Sequence, residues 1–289
     1  MASKDLGEQY KELRLGRKVK QKDVANEFLS TSQLSKFESG QSMLSADKMI
    51  RAIDGIHMTF AEFGHALNDY QPTEQQKLSD KILSLASQRD REGLLTLLEK
   101  YQSSNTVFDR LNVLVIKNAI HQMDTSYPLS PEDSEFLTEY LYSIENWTSY
   151  ELYLFGNTLP FLSDLDLLFL SKELVARSNL YLKLKNYRSA LKGTYLNIIS
   201  ELLERKQVRH LDFFISELKN LLDIFDTFET IVLRFMELVY KSVIEGSIKK
   251  EKLETYLQQV SDLGLDSLKE LLSRKLSQYE DLYFREKER

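Results

Sequence analysis

The chain has 289 residues, 42% of them hydrophobic, with ten glycines, four prolines and a net charge of −6. It contains no cysteine, which excludes disulfides, thiolate metal sites and cysteine nucleophiles, and its acidic balance argues against a protein that coats nucleic acid. Few helix-breaking residues and much Leu, Glu and Lys predict an all-α protein of more than one domain.

The beginning of the chain is polar, and no uninterrupted apolar run is long enough to cross a membrane. We therefore expect no signal peptide, no association with membranes and a cytoplasmic location. The lack of cysteine fits a reducing compartment.

Five short helices are predicted in the first 68 residues from apolar side chains at helical spacing. They cover residues 6–19, 21–28, 31–39, 46–55 and 59–68. The second and third are joined by a tight turn, with Ser30 as the N-cap of the third helix and Gly40 at its end. This spacing is typical of a helix-turn-helix.

The third predicted helix leaves short polar side chains and one cation facing outward. These are Thr31, Ser32, Gln33, Ser35 and Lys36. They can donate to and accept from base edges while the helix backbone lies close to a major groove.

Residues 11–22 carry six cations against a single acid, Glu12. We interpret this stretch as a cationic face for the DNA backbone, with Arg17, Lys18 and Lys20 as candidate phosphate contacts. A solvated surface without a ligand is the alternative for each of these side chains.

Residues 69–73, which include Pro72, form the first strong break in the helical pattern. We predict a DNA-binding domain at 1–68, a linker at 69–73 and a second domain at 74–289. In the second domain, stop signals recur roughly every 15 to 22 residues, as in paired antiparallel helices. About ten helices, or five hairpins, are expected to form a degenerate α-solenoid with a concave groove, like tetratricopeptide (TPR) repeats without their consensus.

Capping residues mark the expected helix starts of the second domain, which are Thr73, Asp90, Asn105, Ser130, Thr148, Ser163, Asp226 or Thr227, Ser247 and Asp266. Ends are expected at Asn186, Gly246 and Gly264. The last helix, over 265–287, carries an apolar stripe from Leu268 to Phe284. This helix is predicted either to form a dimer contact or to cap the solenoid.

No catalytic or metal-binding pattern is present in the sequence. The four histidines have no H-x-x-x-H or H-E-x-x-H spacing, and neither GxGxxG, a Walker A run nor GxSxG occurs. We therefore predict a protein that is not an enzyme and needs no cofactor or metal.

The first domain resembles the phage-repressor (XRE-type) DNA-binding domain. The resemblance lies in QKDVA at 21–25, LSKFESG at 34–40 and FAEF at 60–63. With an all-helical second domain that includes WTSYELYLFGNT at 147–158, the whole chain resembles the Rgg/MutR group of peptide-sensing transcription regulators of streptococci and their relatives.

The resemblance implies separate roles for residues of the helix-turn-helix. Gln21 would hold a phosphate. The side chains that would face bases are Thr31, Ser32 and Lys36, flanked by Gln33 and Ser35. Arg14 would form a structural ion pair with Glu38 inside the domain instead of binding DNA.

For the second domain, the resemblance implies a groove that takes a short hydrophobic peptide. An extended peptide brings unpaired N–H and C=O groups, which amide side chains can satisfy between aromatic walls. The implied contacts are Asn157, Asn197, Tyr181 and Tyr187. Asn157 could instead only end a helix, and one of the two tyrosines could belong to the core.

These features together predict a homodimeric regulator that binds a two-fold operator in double-stranded DNA and responds to a secreted signalling peptide, as in quorum sensing. Two alternatives stay open. One is a protein-interaction scaffold with a degenerate helix-turn-helix, and the other is a peptide-independent repressor of the phage type.

Overall fold

The computed structural model describes residues 6–103, 106–177, 180–247 and 249–283. These residues form sixteen α-helices joined by short connections and contain no β-strand, so the predicted all-α class is confirmed. The chain divides into two compact units, the first ending at Ser84 and the second beginning at Leu85.

The first unit contains five short helices and most of a sixth. They are α1 (Leu6–Gly16), α2 (Gln21–Val24), α3 (Thr31–Glu38), α4 (Ala46–Asp54), α5 (Phe60–Leu67) and α6 (Glu74–Ser87). The sixth helix runs across the boundary, and the predicted linker at 69–73 lies ahead of it, within the first unit. Tyr10, Leu34, Phe37 and Phe63 are buried in the core formed by the first five helices.

α1 and α3 approach each other closely at Gly7. A Cβ atom there would lie 1.9 Å from the carbonyl oxygen of Phe37, so only glycine permits this contact. α1 ends at Gly16 and not at residue 19 as predicted, because Lys18 adopts a left-handed conformation with a φ of 58°.

The second helix is shorter than the sequence predicts. α2 ends after one turn at Val24, whereas the prediction continued to residue 28. Asn26 explains the difference, because its Oδ1 accepts the N–H groups of Phe28 and Leu29 at 2.9 and 3.1 Å. Such a side-chain turn offers the backbone an alternative to the helix and redirects it towards α3.

The second unit holds the remaining ten helices. They are α7 (Arg91–Gln102), α8 (Val107–Met123), α9 (Pro131–Ser143), α10 (Ser149–Gly156), α11 (Asp164–Arg177), α12 (Lys185–Glu204), α13 (Leu211–Leu221), α14 (Thr227–Ile244), α15 (Lys250–Asp262) and α16 (Asp266–Tyr283). The central one is α12, which packs against α10, α13, α14 and α16 and has ten of its 20 residues buried. A change at α12 therefore bears directly on four neighbours.

Capping side chains begin several helices where the sequence predicts a start. Asp90, Ser130 and Thr148 each accept a backbone N–H from the following turn, and Pro131 occupies the first helical position after Ser130. The predicted start at Asn105 lies outside the described residues. These caps are local signals, which is why the sequence reveals them.

Two other boundary predictions are wrong. The sequence predicts that Asn186 ends a helix, but Asn186 lies in the first turn of α12. Asparagine is common at both ends of helices, and burial of the residues from Tyr187 onward favours a helix start here. Ser247 was expected to start a helix, but α15 begins at Lys250.

The apolar stripe of the last helix is packed inside the second unit. Leu272, Leu276 and Tyr279 are buried where α16 contacts α12, α14 and α15. Phe284 and the rest of the predicted helix to residue 287 lie outside the described residues. The stripe therefore packs against neighbouring helices of the same unit, and Leu271 beside it is 43% exposed.

Candidate nucleic-acid interface and ligand site

α3 is fixed by its buried side and by local contacts at both ends. Leu34 and Phe37 are buried, and the Oγ of Ser30 accepts the N–H of Gln33 at 3.2 Å. The Oε1 of Gln33 accepts the N–H of Ser30 at the same distance of 3.2 Å, which completes a capping box. Gly40 takes a left-handed φ of 71°, as predicted for the residue that follows the helix.

The outward side of α3 carries the five side chains that the sequence predicts to read DNA. All of them are exposed, namely Thr31, Ser32, Gln33, Ser35 and Lys36. Gln33 already uses its carbonyl oxygen in the capping box, so its Nε2 group is what it can offer to base edges. The short hydroxyl side chains allow the helix backbone to approach a groove closely.

Arg14 and Glu38 form a bidentate ion pair in the interior of the first unit. Nε and Nη2 of Arg14 donate to the two carboxylate oxygens at 2.6 and 2.7 Å, and the two side chains are only 5% and 3% exposed. Nη1 of Arg14 also donates to the carbonyl of Val19 at 2.6 Å. The hydrogen-bonded carboxylate raises the pKa of Arg14. This is the pairing that the resemblance implies, and it makes Arg14 a structural residue.

Gln21 belongs to the same network. Its Nε2 donates to Glu38 at 2.8 Å, which uses one of the two amide hydrogens inside the domain. Arg17, Lys18 and Lys20, the other predicted phosphate contacts, are exposed in the connection between α1 and α2. The predicted cationic face is therefore accessible beside the start of the helix-turn-helix.

Three asparagines meet at the C-terminal end of α10, and we call Asn118, Asn157 and Asn197 the amide cluster. Nδ2 of Asn157 donates to the carbonyl of Tyr153 at 2.7 Å, and Nδ2 of Asn197, on α12, donates to that of Gly156 at 2.9 Å. Nδ2 of Asn118, on α8, donates to the carbonyl of Asn157 at 2.8 Å. The three side chains satisfy carbonyl groups at the end of one helix.

The Nδ2 groups of the amide cluster donate to backbone carbonyls of the protein, which leaves the Oδ1 atoms as acceptors. The Oδ1 of Asn118 is buried and accepts no hydrogen bond from the described residues. A buried acceptor without a donor is unfavourable, so an outside N–H group would be stabilised there. Asn118 carries no signal in the sequence, since nothing local distinguishes it from other polar residues of α8, and only the fold brings it to Asn157.

One side of α12 next to the amide cluster is small and accessible. Ser189, Gly193 and Asn197 follow each other at four-residue spacing, and we call them the α12 strip. A Cβ atom at Gly193 would meet no other atom of the described residues within 4 Å. Glycine in a helix interior costs about 1 kcal/mol relative to alanine, and packing against the residues that the structure describes does not require it at this position. Close approach of a ligand backbone to α12 would account for a glycine at position 193.

The two predicted tyrosines differ in accessibility. Tyr181 and Tyr187 are in contact, with ring centroids 5.4 Å apart. Tyr187 is only 2% exposed and lines, with Tyr142 and Trp147, a cavity of about 30 Å³ that has room for a single water molecule. Burial therefore favours for Tyr187 the alternative that one of this pair belongs to the core, whereas Tyr181 is partly exposed.

Two kinds of feature are not found within the described ranges. No helix there combines the length and the apolar character needed to cross a membrane. No group of three or more His, Asp or Glu side chains among these residues is arranged to hold a metal ion.

Comparison with known proteins gives a family for most of the second unit. The family model described as the C-terminal domain of the HTH-type transcriptional regulator Rgg matches residues 95–274. This range extends from α7 into α16 and contains both the amide cluster and the α12 strip.

The chain is also similar to solved structures over nearly its whole length. The SHP pheromone receptor Rgg2 of Streptococcus dysgalactiae is 25% identical, with a TM-score of 0.76 over 94% of this chain and 99% of that chain. A protein of Listeria monocytogenes EGD-e is 20% identical, with a TM-score of 0.79 over 96% and 98% of the two chains. PrgX is 12% identical, with a TM-score of 0.64 over 95% and 93%. The last two likenesses concern the fold alone.

Proposed function

Because the chain belongs to the family of Rgg transcriptional regulators of the helix-turn-helix type, we propose that it acts as a homodimer on a two-fold operator under the control of a short hydrophobic peptide. The observation that carries the peptide half is the amide cluster, in which the buried Oδ1 of Asn118 lacks a donor among the described residues. DNA binding places the protein in the cytoplasm, where the chromosome is.

The DNA half of the proposal rests on α3 and the connection before α2. Thr31, Ser32 and Lys36 read base edges, since they are exposed on a helix whose other side is buried. Arg17 and Lys20 hold phosphates and set the orientation without reading sequence. The buried ion pair behind α3 keeps the reading helix at a constant distance from α1.

Dimerisation follows from the size of the reading surface. One eight-residue helix contacts only a few base pairs, whereas two copies joined by a two-fold axis double the contacts and fix the spacing of the half-sites. Half-sites for two such helices are expected about 34–36 Å apart, one turn of DNA.

The ligand half of the proposal combines the amide cluster with the α12 strip. The Oδ1 atoms of Asn118, Asn157 and Asn197 accept N–H groups of an extended peptide, and the missing side chain at Gly193 lets the peptide backbone lie against α12. Tyr181 provides an apolar wall for side chains of the peptide. Rgg2 of Streptococcus dysgalactiae is a receptor for an SHP pheromone, and a signalling peptide is the ligand class that we propose for this chain.

The peptide changes DNA binding through α12. A ligand shifts an equilibrium only by as much as it binds one arrangement more tightly than the other, and about 1–3 kcal/mol is typical of such coupling. Contacts with Asn197 and Gly193 bias the position of α12 against α10, α13, α14 and α16. The resulting change in the second unit, or at Gln71 and Pro72, alters the spacing of the two reading helices.

A footprint of the full-length chain on DNA upstream of neighbouring genes tests the proposal. We expect two protected half-sites related by a two-fold axis, and a change of at least about fivefold in operator affinity on addition of one member of a library of short hydrophobic peptides. Joint replacement Thr31→Ala, Ser32→Ala and Lys36→Ala should abolish specific binding and leave salt-sensitive non-specific binding.

Two results would count against the proposal. If no DNA sequence is bound more tightly than bulk DNA, the reading role of α3 fails. If operator binding is specific but indifferent to every peptide, the ligand half fails and the peptide-independent repressor becomes the better description.

A further inference from the structure

The side chain of Arg51 lies over an aromatic ring in the turn of the helix-turn-helix. Its guanidinium carbon is 4.0 Å from the centroid of the Phe28 ring. Arg51 belongs to α4, Phe28 to the turn between α2 and α3, and both side chains are exposed. The attraction acts between the charge and the face of the ring, so it takes up no hydrogen-bond acceptor. We call these two residues the Arg51–Phe28 pair.

Arg51 pairs with neither of the carboxylates that its own helix places within reach. Asp47 comes four residues before it and Asp54 three residues after it, the spacings at which helical side chains meet. Asp47 instead accepts a hydrogen bond from the Ser45 side chain, which lowers the pKa of Asp47. Among the described residues, the Arg51 side chain has no ion-pair or hydrogen-bond partner. Its N–H donors are therefore available to a ligand.

Phe28 places this cation beside the start of the reading helix. It precedes Ser30, the N-cap of α3, by two residues and Thr31 by three. Three residues span at most about 10 Å. A helix in the major groove has a phosphate strand on either side, because the groove is only about 12 Å wide. The guanidinium of Arg51 is therefore within reach of the phosphates that flank the groove.

Both members of the Arg51–Phe28 pair are held by the fold. Oδ1 of Asn26 accepts the N–H of Phe28 at 2.9 Å, which fixes the turn. One helical turn beyond Arg51, α4 contacts the end of α2, since a Cβ atom on Gly55 would lie 2.8 Å from Cγ1 of Val24. The guanidinium is thus positioned before DNA arrives, and little side-chain freedom is lost on binding.

We propose that Arg51 binds a backbone phosphate of the operator next to the N-terminal end of α3, with Phe28 holding the guanidinium in position. A planar guanidinium donates to two phosphate oxygens at once, which fixes orientation as well as adding affinity. Because phosphate contacts set the register of a reading helix, this contact positions Thr31 on the base edges and reads no sequence itself. The inference rests on the DNA half of the proposed function. It adds a contact from α4 to those of Arg17 and Lys20, which precede α2.

Competition binding tests the contact, with the full-length chain, a duplex carrying the footprinted operator and a random-sequence duplex at several salt concentrations. Arg51→Met should weaken binding to both duplexes at least about tenfold, because a charged hydrogen bond is lost. It should also lower the salt slope of log K by about 1. Arg51→Lys keeps the charge without the flat, two-pronged group, and it should restore the salt slope with only part of the affinity.

Two further variants separate the charge from its positioning. Phe28→Leu leaves the cation but removes the ring, so affinity should fall about threefold while the salt slope stays unchanged. Arg110→Met is the matched control, because the guanidinium carbon of Arg110 also lies over a ring, 3.8 Å from the centroid of Phe136, in the second unit. Neither the affinity nor the salt slope should change in this control.

Ethylation interference identifies the phosphate and tests for a purely structural role. Ethylation of the bound phosphate should weaken binding of the wild-type chain and leave Arg51→Met unaffected, since that variant no longer makes the contact. If Arg51 only stabilised the fold, Arg51→Met would lower the free energy of unfolding in urea and show the wild-type interference pattern.

Wild-type affinity and salt slope in Arg51→Met, or an interference pattern common to both chains, would overturn the inference and leave the proposed function standing. A wild-type chain that binds no DNA sequence more tightly than bulk DNA would overturn both.

Discussion

Nδ2 of Asn197 donates to the carbonyl oxygen of Gly156 at 2.9 Å, across the junction of α12 and α10. Gly156 is the last residue of α10, so its carbonyl has no partner within that helix. The helices are also close here, since a Cβ atom on Gly156 would lie 3.2 Å from Oγ1 of Thr194. The Nδ2 of Asn197 therefore has a structural role. Because the side chain is exposed, its Oδ1 can accept a hydrogen bond from a ligand.

Asn197→Ala should separate these two uses. We expect a loss of about 1 kcal/mol in the free energy of unfolding, since one hydrogen bond to a carbonyl disappears. Peptide affinity should fall at least about tenfold, because a peptide N–H would be buried without an acceptor. Urea unfolding and titration calorimetry measure the two effects. Asn220→Ala, on the exposed side of α13, is the matched control, and wild-type peptide affinity in Asn197→Ala would remove Asn197 from the site.

Gly193→Ala should make the protein more stable and the ligand weaker. Alanine replaces glycine in a helix interior at a position where a Cβ would meet no described neighbour within 4 Å, so unfolding should require about 0.5–1 kcal/mol more. The added methyl group would separate the peptide backbone from α12 and lower its affinity. Gly64→Ala is the control, because its Cβ would likewise meet nothing within 4 Å in the part of the chain that the structure describes, and it lies in α5 of the first unit. If both changes leave the affinity unaltered, Gly193 does not touch the ligand.

The helix-turn-helix could be predicted from the sequence because its signals are local. Ser30 and Gln33 are three residues apart and cap α3, and Gly40 follows two residues after the helix ends. Leu34 and Phe37 repeat at helical spacing and are buried. The error in the length of α2 is also local in origin, since a single side chain ends the helix.

The ligand site could be predicted only in part because its contacts are distant in sequence. Asn118 meets the backbone of Asn157 across 39 residues, and Asn197 meets that of Gly156 across 41. Capping rules concern residues three or four apart and therefore do not predict such pairs. The burial of Tyr187 is likewise set by packing against other helices.

Arg14→Met should destabilise the first unit by about 3–5 kcal/mol, because the carboxylate of Glu38, which is 3% exposed, would be left buried without a cation. Chemical unfolding followed by circular dichroism measures the change. Arg17→Met makes the same replacement at an exposed position and should cost less than about 0.5 kcal/mol. Replacing both partners, Arg14→Met with Glu38→Met, should recover most of the loss. Equal stability of the Arg14 and Arg17 variants would show that the buried pair contributes nothing.

Lys20→Ala and Thr31→Ala should weaken DNA binding in different ways. Loss of a phosphate contact at Lys20 should reduce affinity for all sequences and lower the salt slope of log K by about 1. Loss of a base contact at Thr31 should relax discrimination at one operator position by about 1–3 kcal/mol and leave the salt slope unchanged. Competition binding at several salt concentrations measures both. Lys252→Ala, on α15, should alter neither quantity, and identical behaviour of the first two variants would contradict their assigned roles.

Asp226→Asn should lower stability at neutral pH and not at acid pH. The hydrogen bond from Lys192 lowers the pKa of Asp226, so its charged form is favoured in the folded protein. A depressed folded-state pKa contributes stability above the unfolded value, about 4, and this contribution is lost as the pH falls through the folded value. We expect the variant to be less stable by about 1–3 kcal/mol at pH 7, because the buried ammonium of Lys192 keeps only a neutral partner. The difference from wild type should shrink below about pH 4.

Asp223→Asn is the control, since its carboxylate is 43% exposed and its pair with Arg188 should contribute little at any pH. A difference between Asp226→Asn and wild type that stays constant down to pH 2 would show that the ion pair is not its cause.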